Sequence, residues 1–229
     1  MPSKYPSKIK IIVKSIVTVF FLLTLVFVPA GTLNWPEAWL FLILYLSCIG
    51  GVIIWLKKNN PGLLKERMSV KKDVQGWDKK IILIYTFLLT ILVVVMGLDA
   101  VRFHWSQVPI ILKTLGFLGF VPVLFIVIWA MKENSYLSDM VRIQKDRGHK
   151  VCTTGPYKYV RHPMYVGIIL FILCLPLALG SLFAFIPGSI IVILFILRTS
   201  LEDKTLHKEL PGYKDYANKV RFRLMPWVW

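Results

Sequence analysis

Six runs of uncharged or nearly uncharged residues punctuate the chain, at about 11–28, 35–56, 81–98, 108–131, 164–179 and 181–198. At 1.5 Å of helical rise per residue, the first four are long enough to cross roughly 30 Å of hydrocarbon. The last two are shorter and meet at Leu179-Gly180-Ser181, which predicts two tilted spans or a tight helical hairpin. Pro176 and Pro187 would kink them, as membrane helices tolerate when neighbours re-satisfy the backbone. Counting the pair gives an all-α integral membrane chain of about six transmembrane helices. Run two opens with Asn34-Trp35-Pro36-Glu37, combining a helix cap, an interfacial aromatic, a first-turn proline and an acid near the positive helix end. Glu37 therefore reads as structural, and Trp39, Trp77 and Trp105 read as belt residues.

The basic residues alternate with these runs. Lys4, Lys8, Lys10 and Lys14 precede or open the first; eight Lys and Arg, from Lys57 to Lys80, separate the second and third; seven, from Lys132 to Arg161, lie between the fourth and fifth; seven follow the sixth, starting at Arg198. The intervening loops carry almost none. Arg102 is an exception, and Lys113 sits near a run's outer end, where its stem can snorkel. Because cytoplasmic loops collect Lys and Arg, both termini are expected to be cytoplasmic. No small-residue cleavage site follows run one, which argues against a removable signal peptide.

Composition agrees. Of 229 residues, 56% are apolar and 17% charged, with a mean hydropathy of +0.65, too little polar surface to cover a soluble globule. The balance of 28 basic and 12 acidic residues, +16, would suggest nucleic acid in a soluble chain. Stacked on one side of apolar runs, it instead fixes orientation and faces anionic headgroups, so no nucleic-acid partner is expected. Three cysteines show no pairing pattern. There is no dinucleotide-binding glycine fingerprint after a strand, no Walker sequence and no metal-ligand spacing, and His104, His149 and His207 stand isolated.

Polar chemistry must be assembled from three clusters. Gly155-Pro156-Tyr157-Lys158-Tyr159-Val160-Arg161-His162-Pro163-Met164-Tyr165 turns at Gly-Pro and holds His162 extended before a helix, presenting Arg161, His162 and the tyrosines at a membrane mouth. An interfacial anchor would look similar. Arg198, Glu202 and Asp203 close the last run; Arg198 and Glu202, four apart, share a helix face and could form a surface pair worth a few tenths of a kcal/mol. Ionisable groups facing a bundle interior at that depth are also default functional candidates, and a hairpin over 164–198 returns them beside the first cluster. The basic, aromatic tail from Gly212 to Pro226 is long enough to fold back over both, or to lie on anionic lipid.

These residues resemble the isoprenylcysteine carboxyl methyltransferase and phospholipid methyltransferase superfamily of integral membrane enzymes. The resemblance covers roughly residues 134–226: Val141-Arg142-Ile143-Gln144, Val151 through Gly155-Pro156-Tyr157, Arg161-His162-Pro163 with Tyr165, Arg198 with Glu202-Asp203 and Leu206, then Tyr213, Tyr216, Arg223 and Pro226. Prokaryotic members with a similar Arg-Ile-Gln lead-in look closest, implying a prokaryotic cell membrane. The family implies S-adenosylmethionine bound without a Rossmann domain, in a cytoplasmic pocket closed by the C-terminal tail. Carried over residue by residue, Gln144, Val151, Gly155, Tyr157, His162, Pro163, Tyr165, Glu202, Asp203, Tyr213, Tyr216 and Arg223 would bind the cofactor, and Arg161, Arg198 and Glu202 would serve catalysis. The second acid here is Asp where Glu is common in the family. No metal is implied. Residues 107–229 would form the catalytic core and 1–106 accessory helices, with a lipophilic or membrane-embedded acceptor: an isoprenylcysteine-like carboxylate, a phospholipid or a small thiol.

Two other readings compete. NADPH-dependent sterol-type reductases share a similar Arg-His-Pro and tail, but usually carry Asn before the Tyr and Glu soon after, where this chain has Met164 and Gly167-Ile168. A transporter or scaffold would use the clusters only as anchors, yet the last hairpin holds no charged residue at mid-membrane, where a conduit normally needs polar groups.

Overall fold

The computed structural model describes residues 8–69, 71 and 73–229, with side chains of 8–12 and 14 left aside. The expectations at Lys4 and Lys72, and at the side chains of Lys8, Lys10 and Lys14, fall outside the described residues. Eight α-helices and no strands make up the described residues: α1 (Lys8–Ala30), α2 (Pro36–Asn59), α3 (Pro61–Met68), α4 (Gly76–Gly97), α5 (Ile110–Glu133), α6 (Pro163–Leu179), α7 (Phe185–Glu209) and α8 (Tyr213–Lys219). A π-helical turn, Leu98–Arg102, extends α4.

The helix ends follow local chemistry. Pro36, Pro61 and Pro163 occupy first turns, where the missing N–H has no intrahelical partner to lose. The Asn60 side chain caps α3 by accepting from the Leu63 N–H at 3.1 Å. Helix α6 stops at left-handed Gly180, where the Ser181 N–H donates back to the Pro176 carbonyl at 2.9 Å, the Schellman arrangement.

Helix α6 lies at the centre. Its Ile172, Leu175 and Leu179 are buried with Leu92 and Met96 of α4, Ile191 and Phe195 of α7, and Ala38 and Leu42 of α2. Against α5 the backbones nearly touch: a Cβ on Gly116 would come within 2.4 Å of the Ala178 nitrogen, so only glycine permits this crossing. Tyr165, near the start of α6, meets Phe195 of α7 with ring centroids 5.5 Å apart, so the two helices run antiparallel. The outer surface is apolar: Phe20, Ile43, Leu83, Phe87, Leu118 and Phe125 are all exposed. A soluble fold rarely leaves such a girdle uncovered.

Four helical stretches are long and apolar enough to cross a membrane: Pro36–Asn59, Gly76–Arg102, Ile110–Glu133 and Phe185–Glu209. The apolar part of α1, Ser15–Ala30, and α6 are shorter. The sixth run thus belongs to a helix longer than its uncharged stretch, because α7 continues through Arg198 and Glu202 to Glu209.

One end of the bundle is closed by buried polar contacts. Asp99, fully buried in the π turn, accepts at Oδ2 from Ser106 at 2.8 Å, Ser181 at 2.6 Å and the Phe183 N–H at 3.1 Å, fastening α4 to the α6–α7 connection. Glu37 and Lys113, expected to act separately as helix-end acid and snorkelling cation, instead pair at 2.6 Å across α2 and α5. The other end holds the motifs.

Candidate functional site

The Gly155 turn starts this end. Its φ is +56°, and a Cβ would come within 2.3 Å of Glu133 Cγ, so glycine alone fits beneath the end of α5. The 155–158 turn then buries Tyr157, whose hydroxyl accepts from Asn134 Nδ2 at 3.1 Å. Just before α6 the chain bends at Arg161, with His162 at φ −127° and ψ 61° rather than extended as expected, and the tail pairs with it: the Arg161 N–H donates to the Phe222 carbonyl at 3.0 Å and the His162 N–H to the Arg223 carbonyl at 2.9 Å. Tyr216 of α8 adds a hydroxyl bond to the Tyr157 carbonyl at 2.8 Å.

Asp203 is the centre of this closure. It is 1% exposed and receives Arg161 through both Nε (2.9 Å) and Nη2 (3.0 Å), Arg223 Nε at 2.9 Å and the Tyr213 hydroxyl at 2.8 Å. Arg161 directs its remaining nitrogen, Nη1, to the carbonyls of Ala217, Val220 and Arg221. Its guanidinium is thus fully engaged in joining α6, α7 and the tail, the geometry of a planar fork matched to a carboxylate.

Glu202, one residue earlier, has a different environment. It is partly exposed and accepts from the Tyr165 hydroxyl at Oε2, while Oε1 has no hydrogen-bond partner among the described residues. The His162 and Tyr165 rings lie parallel, 3° between planes and 5.7 Å between centroids. Arg198, expected to share a helix-face pair with Glu202, instead faces α4: Nε and Nη2 bind the two oxygens of Asp78 at 2.8 and 3.1 Å, and Nη2 also reaches the Asp139 carbonyl at 2.9 Å. Asp78 is fully buried and takes the Val141 N–H at 2.7 Å as well.

These side chains surround a cavity of about 340 Å³. Arg161, His162 and Tyr165 border it from the motif, Arg198 and Glu202 from α7, Tyr213 and Tyr216 from α8, and Val151 and Tyr157 from the preceding loop. Gln144, Gly155, Pro163, Asp203 and Arg223 do not border it; they hold its walls. Gln144, fully buried, ties the 134–149 loop together by donating from Nε2 to the Tyr136 carbonyl at 2.6 Å and receiving Arg147. The lining also includes a largely apolar set: Ile82, Tyr85 and exposed Thr86 of α4, Ile168 of α6 and Phe195.

Protonation follows from burial. Tyr157, Tyr213 and Tyr216 all have their phenols pushed above the ordinary value by desolvation, with Asp203 adding to the effect at Tyr213. Tyr213 and Tyr216 spend their only O–H protons on Asp203 and the Tyr157 carbonyl, so Tyr157, whose oxygen accepts from Asn134, is the neutral hydroxyl of the three with a proton left to donate to a ligand. His149, also on the cavity wall and stacked on Tyr136 at 4.7 Å, is lowered to about 4 by burial and then by Arg147 and Arg142, so it is neutral at pH 7.

Several contributors come from outside the motifs. Asp78, Arg67 and His149 carry no local signature: Asp78 meets Arg198 across 120 positions of sequence. Glu66 is a further case. Its burial opposes ionisation, but hydrogen bonds from Arg142 at 3.1 and 2.9 Å outweigh that and hold it below the usual carboxylate range.

Comparison with curated proteins gives no match to the chain. Residues 115–208, from α5 through nearly all of α7 and therefore the motif turn, Arg198, Glu202 and Asp203, match the model of the isoprenylcysteine carboxyl methyltransferase (ICMT) family.

Proposed function

We propose that the protein is an integral membrane methyltransferase that uses S-adenosylmethionine to methylate a lipophilic acceptor. The observation that carries this reading is the mixed lining of one cavity. It is bordered by motif residues around Glu202 and three neutral phenols and also by Ile82, Tyr85 and exposed Thr86 of α4. A polar cofactor and a greasy acceptor can thus be held in the same cavity.

The donor set suits such a cofactor. Its ammonium and ribose hydroxyls need a carboxylate with a vacant oxygen, which Glu202 has; its sulfonium is suited by the π faces of Tyr165 and neighbouring phenols. When bound, S-adenosylmethionine supplies a methyl group already activated by the adjacent positive sulfur. The chain's own work is alignment and exclusion of water. Asp203, Arg161 and Arg223 hold the tail over the site, keeping the polar end closed. Glu202 holds and orients by charge. Tyr157 donates a hydrogen bond, Tyr213 and Tyr216 offer acceptor oxygens and ring faces, and Arg198, fixed by Asp78, presents its free edge to the acceptor.

In this reading α1 and α6 complete six spans with the four long helices. Both termini and the motif end face the cytoplasm of a prokaryotic cell, as the stacked basic residues favour. The family match over residues 115–208 favours this reading over the reductase and scaffold alternatives. Incubation of the purified protein with methyl-labelled S-adenosylmethionine and total membrane lipid should place label in an organic-soluble product. Binding of NADPH with no uptake of S-adenosylmethionine would overturn it.

A further inference from the structure

The segment after α8 folds back over the cavity and then turns outward with its largest apolar side chains uncovered. Residues 223–229 close on themselves: the Arg223 and Leu224 N–H groups both donate to the Trp229 carbonyl, at 2.9 and 3.1 Å, and the Val228 and Trp229 N–H groups both donate to the Met225 carbonyl at 3.2 Å. Leu224 is buried in the same apolar cluster as Tyr165 and Phe195, and the Trp229 ring centre lies 4.8 Å from the guanidinium carbon of Arg223, whose Nε holds Asp203. The apex of the loop is the opposite: Met225, Trp227 and Val228 are 58%, 90% and 72% exposed. Trp227 sits at φ +70°, a left-handed conformation that a bulky side chain rarely adopts, and its one aromatic contact among the described residues is Phe222, 5.6 Å between centroids.

Depth and charge identify what meets this apex. The backbone bonds from Arg161 and His162 to Phe222 and Arg223 fix its depth, because Pro163 at once begins α6, a helix without a charged residue. The loop therefore lies where an apolar helix starts, the level at which tryptophan is enriched at membrane–water interfaces. From Tyr213 to Trp229 the exposed charged side chains are Lys214, Lys219 and Arg221 against Asp215 alone, and Arg223 is spent on Asp203. An exposed apolar patch rimmed by cations is complementary to an anionic headgroup layer.

We infer that Met225, Trp227 and Val228 insert among anionic lipid headgroups beside the bundle, and that this contact latches the tail over the cavity. The link is short: the apex is tied through the Trp229 carbonyl to Arg223, and Arg223 to Asp203 and His162. Lifting the tail from Arg161, His162 and Asp203 also withdraws Trp227 from the interface, so lipid that binds the closed arrangement better shifts the tail towards it. The latch does not depend on what the cavity binds and stands apart from the methyltransferase reading.

The test places the full-length protein in nanodiscs of phosphatidylcholine, alone or mixed with phosphatidylglycerol. Hydrogen exchange at the Arg161 and His162 amides, which are bonded to the tail, reads its opening. In wild-type protein that exchange should be at least about five-fold slower in the anionic discs, the contribution of one basic residue near such a surface. Arg221→Gln should shrink the difference. Trp227→Ser should speed exchange about ten-fold in anionic discs, whereas Trp227→Phe keeps most of the protection. The melting temperature of the bundle should stay at the wild-type value in all three, and the phenylalanine and Arg221 variants serve if the serine variant does not fold. The fluorescence lost in Trp227→Phe should be quenched by lipids brominated near the headgroup and spared by aqueous iodide. Quenching by iodide instead, or exchange indifferent to both lipid and Trp227→Ser, would overturn the proposal. So would shielding of Trp227 in detergent that rises with protein concentration alongside dimers, since a second copy of the chain would then cover the apex.

Discussion

At one end of the bundle the Asp99 carboxylate is shut beneath the α6–α7 connection and meets only neutral donors: two serine hydroxyls and a backbone N–H. At the other end Asp203 and Asp78, equally buried, are each gripped by arginine forks. The first ties loops together through Oδ2, while its buried Oδ1 has no hydrogen-bond partner among the described residues. The second surrounds a cavity in which Glu202 and parts of Arg67 and Arg198 remain available. Burial alone therefore does not mark a functional acid. What marks the motif end is that its unfilled hydrogen-bonding capacity, on Glu202, Arg67 and Arg198, borders a cavity that a ligand can enter, whereas Asp99 does not border that cavity.

The sharpest way to break the comparison is Asp203→Ala. It strands the buried Arg161 charge and releases Arg223 and Tyr213, and removing one partner of a buried ion pair costs about 3–5 kcal/mol. Thermal unfolding in detergent should show a large loss, with the tail becoming protease-sensitive. Glu202→Gln comes next and should act on binding rather than folding. Loss of a charge-assisted hydrogen bond of about 1.5–3 kcal/mol weakens S-adenosylmethionine roughly ten- to hundred-fold, with the melting temperature little changed.

Asp99→Asn should do the reverse, lowering stability by about 1–2 kcal/mol while label transfer per folded molecule stays at the wild-type level. A drop in transfer without a drop in stability would erase the distinction between the two ends. The smallest effect belongs to His149. Its pKa falls from the ordinary value to about 4 in the folded protein, so the unfolded chain binds the proton first. Stability present above pH 6.5 is lost progressively as pH falls towards 4, by about 1 kcal/mol once partial exposure is discounted. His149→Gln should flatten that part of the pH–stability curve.

Much of the bundle was legible in the sequence because long apolar helices announce themselves through hydropathy; all six apolar runs lie within or largely overlap helices. The short α3 was not, since its eight residues mix three apolar with three charged ones and owe their order to the Asn60 cap and buried Leu63. The polar contacts were legible only where they are local. An i,i+4 spacing suggested Arg198 with Glu202, but the tertiary fold gives Arg198 to Asp78 and Glu202 to Tyr165. Asp78 sits beside Trp77 in a segment without motifs, and nothing in its neighbours foretells a partner 120 positions away. Arg67 was hidden for the same reason, because a lysine-rich loop makes one more cation look like orientation charge.

The central claim is that the motif end of the cavity binds S-adenosylmethionine through Glu202. Calorimetric titration of the purified protein and of Glu202→Gln with S-adenosylmethionine, with NADPH as competitor, tests it directly. Saturable binding to the wild type is expected, indifferent to NADPH and weakened at least about ten-fold in the variant. Equal affinity in both proteins, or displacement by NADPH, would contradict it.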